Sequence, residues 1–272
     1  DIKEDFLHKK SSKIVIFENK DSLKNEVNFL PEKTKNGSDS IFLSASEILN
    51  IEPALESFNI SPKGALFSKQ DETGNPLLFC NSLVNWLKKN GAELIFNREV
   101  KAIEYKGNAV KGYLANDEFY EANKIVICLG ALTEKIINTG LSIIPVRGYS
   151  LTLDPGSVSF SRSITLTDRR MLFTKLGKKI RITGFADFYG NRVDNQDKRC
   201  NDLLELSKEV APLLADYKSS DIDSWVGYRP LTPSGIPVIG PCSKKGLFIN
   251  SGHGFYGWTL ACSSGKKLAD YF

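Results

Sequence analysis

Histidine and methionine are scarce in this chain: two histidines and one methionine in 272 residues. With only His8 and His253 available, a histidine-based metal centre is not expected. Cysteine is sparse and unpatterned. Cys80, Cys128, Cys200, Cys242 and Cys262 are odd in number and form no C-x-x-C pair. They read as reduced thiols of a cytosolic protein, not as a disulfide framework or a metal site. No apolar run approaches the roughly 18 residues of a membrane-spanning helix. The opening Asp1-Ile2-Lys3-Glu4-Asp5 has no signal-peptide stretch, and it starts without Met, which reads as a processed or cut chain. An excess of charge is also missing. Net charge is +4, from 36 basic and 32 acidic residues, too balanced to point to nucleic acid.

What is present is an ordinary globular composition, 41% hydrophobic and 25% charged, long enough for one large or two modest domains. The most informative stretch lies near the C-terminus. An apolar run, Leu247-Phe248-Ile249-Asn250, precedes Gly252-His253-Gly254-Phe255-Tyr256-Gly257 and a helical pattern. This is a strand, G-x-G-x-x-G and a helix, the outline of a dinucleotide fingerprint. Such a fingerprint opens a βαβ unit of about 30 residues. Only fifteen residues follow Gly257, so no second strand fits. The glycines therefore serve another purpose, or the chain is part of something larger.

Other segments read by periodicity and turn chemistry. Ser12–Phe17 suits a strand, and Asp21–Leu30 a helix capped by Asp21 with Pro31 beyond its end. Ser44–Leu49 suits a short helix capped by Ser44 or Ser46. Asn75 caps a helix with Pro76 at its first position, and Leu77, Cys80, Val84 and Leu87 share one face. Ala92–Phe96 reads as a strand. Val100–Tyr105, Ala109–Leu114 and Glu118–Glu121 read as an antiparallel meander turning at Gly107-Asn108 and Asn116-Asp117. Lys124–Gly130 is an apolar run ending in glycine, as in a buried parallel strand. The runs at Ala92–Phe96, Lys124–Leu129 and Gly246–Asn250 are expected to be neighbours in one parallel sheet. After Ile143 come short β segments at 150–153, 163–167, 171–174 and 179–183, then an amphipathic helix over Asn201–Leu214. β-rich segments thus interrupt an α/β framework, which suggests two interleaved domains.

Several motifs in order carry a family resemblance: Ile51-Glu52-Pro53-Ala54-Leu55, Asp71-Glu72-Thr73-Gly74, Val146-Arg147-Gly148-Tyr149-Ser150-Leu151, Gly227-Tyr228-Arg229-Pro230-Leu231-Thr232-Pro233, Gly235-Ile236-Pro237-Val238-Ile239-Gly240, and Ser251-Gly252-His253-Gly254 with Gly257-Trp258-Thr259. From about Ile14 to Phe272 the chain resembles the D-amino acid oxidase-like FAD oxidoreductases, most closely the small subunit of bacterial D-amino acid dehydrogenases. The resemblance begins well inside the family pattern. The family's own N-terminal fingerprint and ribose-binding acid are not here, so the chain looks like roughly the C-terminal two-thirds of such an enzyme. Ser234 stands where the family usually has Asp.

The fold implied is α/β with interleaved α+β: a partial Rossmann-like FAD-binding domain and a substrate domain on a mixed or antiparallel sheet. The segments implied are 1–74 and 143–226 for the substrate domain, and 75–142 and 227–272 for the FAD-binding domain. The activity implied is oxidation of a D-amino acid to a 2-oxo acid and ammonia, with electrons passed to a respiratory acceptor. The location implied is cytoplasmic, peripheral on the inner membrane face. Alternatives on the same scaffold are a glycine or sarcosine oxidase and the flavin domain of a tRNA-modifying enzyme. A further alternative is a non-catalytic fragment that holds no FAD, with self-association through the surface left by missing strands.

The resemblance also implies roles for residues. Arg229 binds the substrate carboxylate, for which a planar guanidinium fork is suited. Gly252, His253, Gly254 and Gly257 pack against the flavin, with the following helix aimed at its pyrimidine end. Gly130 and Ala131 let a strand end approach the cofactor, and Val100 holds the adenine through its main chain. Tyr149 and Tyr228 either line the substrate cavity or sit in a core. His253, between two glycines, is not expected to be a base.

Overall fold

The computed structural model describes residues 5–188 and 196–272; the opening Asp1–Glu4 lie outside them. The described elements run in this order: β1 (Lys9–Lys10), β2 (Lys13–Phe17), α1 (Lys20–Lys35), β3 (Ile41–Leu43), α2 (Ala45–Ile51), β4 (Gly64–Ser68), β5 (Glu72–Thr73), α3 (Pro76–Lys89), β6 (Val100–Lys106), β7 (Ala109–Ala115), β8 (Glu118–Glu121), β9 (Ile125–Ile127), α4 (Thr133–Ile136), β10 (Ile144–Leu153), β11 (Ser163–Leu166), β12 (Met171–Leu176), β13 (Lys179–Asp187), α5 (Gln196–Val210), β14 (Asp223–Leu231), β15 (Val238–Pro241), β16 (Leu247–Ser251) and α6 (Gly257–Ala269).

The chain divides into two compact units. Of the described residues, the first holds 5–90, 148–186 and 196–226; the second holds 91–147, 187–188 and 227–272. The chain passes between them along β10 and β14.

The first unit is organised by an eight-stranded sheet ordered β14-β10-β13-β12-β11-β2-β4-β3. β2 runs parallel to β11 and antiparallel to β4, and β12 is antiparallel to both its neighbours, so the sheet is mixed as expected. Its alternation is the reason it packs. Ile14 and Ile16 on β2, Ile164 and Leu166 on β11, and Ile180 and Ile182 on β13 are all buried in one core. Leu203, Val210, Ala211 and Leu214 from α5 and the turn after it join that core. Burying each such aliphatic side chain contributes about 1.5–3 kcal/mol before conformational entropy is charged against it.

Helix boundaries differ from the sequence expectation at α1 and at α5, the latter running Gln196–Val210 and not Asn201–Leu214. α1 begins earlier because Asn19, not Asp21, is the cap: its Oδ1 accepts from the Asp21 and Ser22 N–H groups. It also runs through Pro31 to Lys35. α1 buries none of its residues, so the carbonyl that Pro31 leaves unpaired can be met by water. α3 starts as expected, with Asn75 Oδ1 accepting from Leu77 and Leu78 N–H and Pro76 in the first turn. Its apolar stripe is open, however. Leu77 is 63% exposed and Leu87 is also exposed, while Ser82 is the buried residue of the helix.

The second unit contains two three-stranded sheets, β6-β7-β8 and β15-β16-β9. The meander forms where its turns demand it, with Asn116 and Asp117 at positive φ between β7 and β8. β16 pairs in parallel with β9, Leu247 opposite Ile125, and antiparallel with β15. Two of the three runs expected to be parallel neighbours are therefore paired. Ala92–Phe96 is not a strand. Among the described residues no strand lies alongside to take up its N–H and C=O groups, and Ile95 and Phe96 stay exposed. Ile103, Val110, Ile127, Ile137 and Leu247 form this unit's core.

Candidate functional site

The G-x-G-x-x-G segment lies in the second unit, between β16 and α6. Gly252 has φ +82°, and a Cβ there would lie 2.5 Å from Thr232 Cγ2. The loop's own packing therefore requires glycine at this position. Gly257 is different. It has an ordinary helical φ of −54°, and a Cβ there would meet only His253 Cβ, at 3.6 Å. Nothing in the described protein demands glycine at the first position of α6.

Two other segments converge on this loop. On β14, Arg229 and Leu231 share one face by the two-residue alternation of strands. Leu231 bridges to His253, and the Arg229 guanidinium lies 5.2 Å from the centre of the Phe255 ring. The alternate residue, Pro230, lies 3.7 Å from where a Cβ on Gly130 would stand. Gly130 is then tied to the loop by hydroxyls. Thr133 Oγ1 and Ser251 Oγ both donate to the Gly130 carbonyl, at 2.8 and 3.1 Å, and lie 3.2 Å apart. Both side chains are buried, so these bonds form away from water and hold the two turns together.

Burial lowers the pKa of Arg229 from its ordinary value, which leaves it a cation at any ordinary pH. Burial also lowers the pKa of His253, whose Nε2 lies 2.9 Å from Ser264 Oγ. A neutral imidazole held by α6 fits a part in orienting the loop.

The other expected residues fall elsewhere. Ala131 follows Gly130 in the short turn before α4. Val100 opens β6, opposite Ala115, and packs on the second unit's core. Tyr228 is 44% exposed, with the Arg147 guanidinium 5.5 Å from its ring centre. Tyr149 belongs to the first unit and is 1% exposed, its ring edge-on to Phe185 and 5.7 Å from the Arg199 guanidinium. The structure thus gathers Arg229, Gly130 and the 252–257 glycines, and puts Tyr149 in a core. Phe255, Thr133 and Ser251 were not foreseen. Their roles come from contacts across more than a hundred residues of sequence or, for Phe255, from a spacer position in the motif. Arg147 stood inside a recognised motif, but only its neighbour Tyr149 was singled out.

The model of the DAO family, FAD dependent oxidoreductase, matches residues 1–271, and the chain belongs to that family. Solved structures show the same fold. Glycine oxidase from Bacillus cereus is similar at 21% identity and a TM-score of 0.81, over 98% of this chain and 74% of that one. L-proline dehydrogenase from P. horikoshii is similar at 18% identity and 0.81, over 97% and 72%. L-amino acid deaminase from Proteus vulgaris is similar at 17% identity and 0.79, over 99% and 70%.

Proposed function

We propose that this chain carries the flavin-facing loop and the carboxylate anchor of an enzyme that oxidises D-amino acids to 2-oxo acids and ammonia. The observation that supports it is the convergence of Arg229 with the 252–257 loop in one unit. Bound FAD would supply the acceptor for the hydride that leaves the substrate Cα. The imino acid so formed takes up water to give the 2-oxo acid and ammonia.

The residues present fit the ring end of that cofactor. Space left at Gly257 is space a flat ring edge could take, and the start of α6 offers N–H donors and about half a positive charge. Gly252 and Gly254 set the backbone path, and the Thr133–Ser251 pair fixes it. Arg229 would meet the substrate carboxylate with two parallel hydrogen bonds, beside the exposed Phe255 ring. Tyr228, exposed beside Arg147, is the nearer candidate for the cavity wall, and Val100 is kept as the main-chain contact for adenine. Apart from Gly252–Gly257, these 272 residues contain no G-x-G-x-x-G, so no second fingerprint is available for the pyrophosphate. Weak FAD binding is expected of this chain by itself.

The test is made in an enzyme that joins these residues to the family's N-terminal fingerprint. Arg229→Ala should raise the apparent constant for D-alanine strongly while bound FAD is retained. Wild-type kinetics would make Arg229 structural and remove the substrate assignment. Glycine or sarcosine oxidation, the second reading, is favoured if those substrates reduce the flavin faster than D-alanine does.

A further inference from the structure

The start of α6 is fastened differently from the starts of α1 and α3. Those two are capped by Asn19 and Asn75, whose side chains take up leading N–H groups of the helix. At α6 the cap position is Tyr256, which makes no side-chain cap bond, and the first turn carries no acidic residue. The helix is held from its side.

The residue that holds it is His253. Its Nε2 lies 2.9 Å from Ser264 Oγ, about two turns beyond Gly257. Ser264 is 3% exposed. A serine inside a helix commonly turns its hydroxyl back to the carbonyl four residues earlier. Ser82 and Ser207, buried in α3 and α5, do this with the Leu78 and Leu203 carbonyls. Ser264 does not: among the described residues its hydroxyl bonds only to the imidazole. Burial favours the neutral ring, and a hydroxyl can complement either tautomer of it.

The same residue meets two other pieces. Its backbone bridges to Leu231, which shares a face of β14 with Arg229, and its carbonyl accepts from the Tyr256 N–H at 3.0 Å. Its Cβ stands 3.6 Å from where a Cβ on Gly257 would lie, so it also backs the first residue of α6. His253 thus joins the strand that carries Arg229 to the helix, and its side chain does so without occupying the helix's leading N–H groups.

We infer that His253, through Ser264, is a positioning residue: it fixes the first turn of α6 relative to Arg229, so that the helix start faces the flavin while the anchor holds the substrate. This rests on the function proposed above and gives the histidine no proton to transfer.

The test is made in the FAD-loaded enzyme, first without any amino acid, by measuring the flavin reduction potential with a chemical reductant and a reference dye. Ser264→Ala should shift the potential to a more negative value, because a helix start that drifts from the ring stabilises the charge of the reduced form less. With D-alanine, kcat should fall by roughly 2- to 5-fold, the weight of a helix-end charge, while KM changes little. Ser264→Thr, which keeps the hydroxyl, should restore both. Adding Ser264→Ala to His253→Ala should lose nothing further, since both changes remove one clasp. If His253→Ala does not fold, the Ser264 variants decide. In the 272-residue chain itself Ser264→Ala should lower the melting temperature by only roughly 2–4 °C, as the loss of one hydrogen bond does. Gly257→Ala, run alongside, separates two failures. If it weakens FAD while Ser264→Ala leaves potential and kcat unchanged, the clasp is only structural and the inference is overturned. If Gly257→Ala leaves FAD binding unchanged as well, the flavin-loop reading falls and the inference falls with it.

Discussion

Gly252 and Gly257 sit in one loop, and their geometry predicts opposite responses to alanine. At Gly252 the backbone is left-handed, at φ +82°, and the new Cβ would fall 2.5 Å from Thr232 Cγ2. A non-glycine residue in that region costs roughly 1–2 kcal/mol. Forcing a methyl into packed side chains costs roughly 1–3 kcal/mol more. Together Gly252→Ala should destabilise by about 2–5 kcal/mol, lowering the melting temperature by roughly 4–20 °C for a chain of this size. At Gly257 the φ of −54° is helical and the nearest atom to the new Cβ is 3.6 Å away. Alanine is the better helix former by up to about 1 kcal/mol, so Gly257→Ala should leave stability unchanged or raise it slightly. Thermal unfolding of the two variants beside the wild type measures this directly. In a flavin-loaded enzyme carrying these residues, the proposed function predicts that Gly257→Ala nevertheless weakens FAD, because the methyl would fill space that the proposal gives to the ring. Equal destabilisation by both changes would refute the reasoning and make the loop a folding device throughout.

Further outcomes follow from other contacts. Arg229→Ala in the flavin-loaded enzyme should raise the apparent D-alanine constant by roughly 30-fold to several thousand-fold, the loss of about 2–5 kcal/mol for one partner of a desolvated pair. Arg229→Lys should not restore it, because an ammonium has no planar fork, and steady-state kinetics decide both. Glu52→Ala should cost about 1–3 kcal/mol in urea unfolding, since it leaves the part-buried Ser161 and Arg162 N–H groups without their acceptor. Glu18 accepts from Arg169 Nε at 2.7 Å, and that hydrogen bond holds its carboxyl below the ordinary value of 4.5. A depressed carboxylate gives stability that is full above the unfolded pKa and lost as pH falls through the folded one. Glu18→Gln should therefore flatten the stability profile on the acid side of 4.5, and change its slope little at neutral pH, in unfolding followed against pH. FAD titrated into the 272-residue chain should bind more weakly than micromolar, and tighter binding would contradict the pyrophosphate argument.

Much of the fold was legible where chemistry is local. Asn75-Pro76 specified the start of α3 because a capping amide and a fixed φ act within one turn. Asn116-Asp117 specified the meander because a tight hairpin needs positive φ. The failures share a cause. Asn19 lay two residues before the segment read as helix, so α1 was started too late, and the exposed helix could carry Pro31 where a buried one could not. Ala92–Phe96 had the composition of a strand but, among the described residues, it joins no sheet, and composition cannot supply a pairing strand. The α3 stripe was read correctly as apolar, yet its burial depends on what packs against it. Arg229 and the glycines could be singled out as candidates because they stand in short motifs. Phe255 beneath Arg229, and the Thr133–Ser251 clasp on Gly130, arise from folding distant segments together. The Glu52–Arg162 pairing was invisible for the same reason: the two stand 110 residues apart.

The central claim is that this chain supplies the substrate anchor and flavin loop of a D-amino acid-oxidising flavoenzyme. Its most direct test is the visible flavin spectrum of the FAD-loaded enzyme, mixed without oxygen with D-alanine, L-alanine or glycine. The account predicts rapid bleaching by D-alanine, slower or no bleaching by the other two, and loss of the D-alanine response in Arg229→Ala at matched substrate. An oxidised spectrum that none of the three amino acids changes, or bleaching by D-alanine that survives Arg229→Ala undiminished, would contradict it.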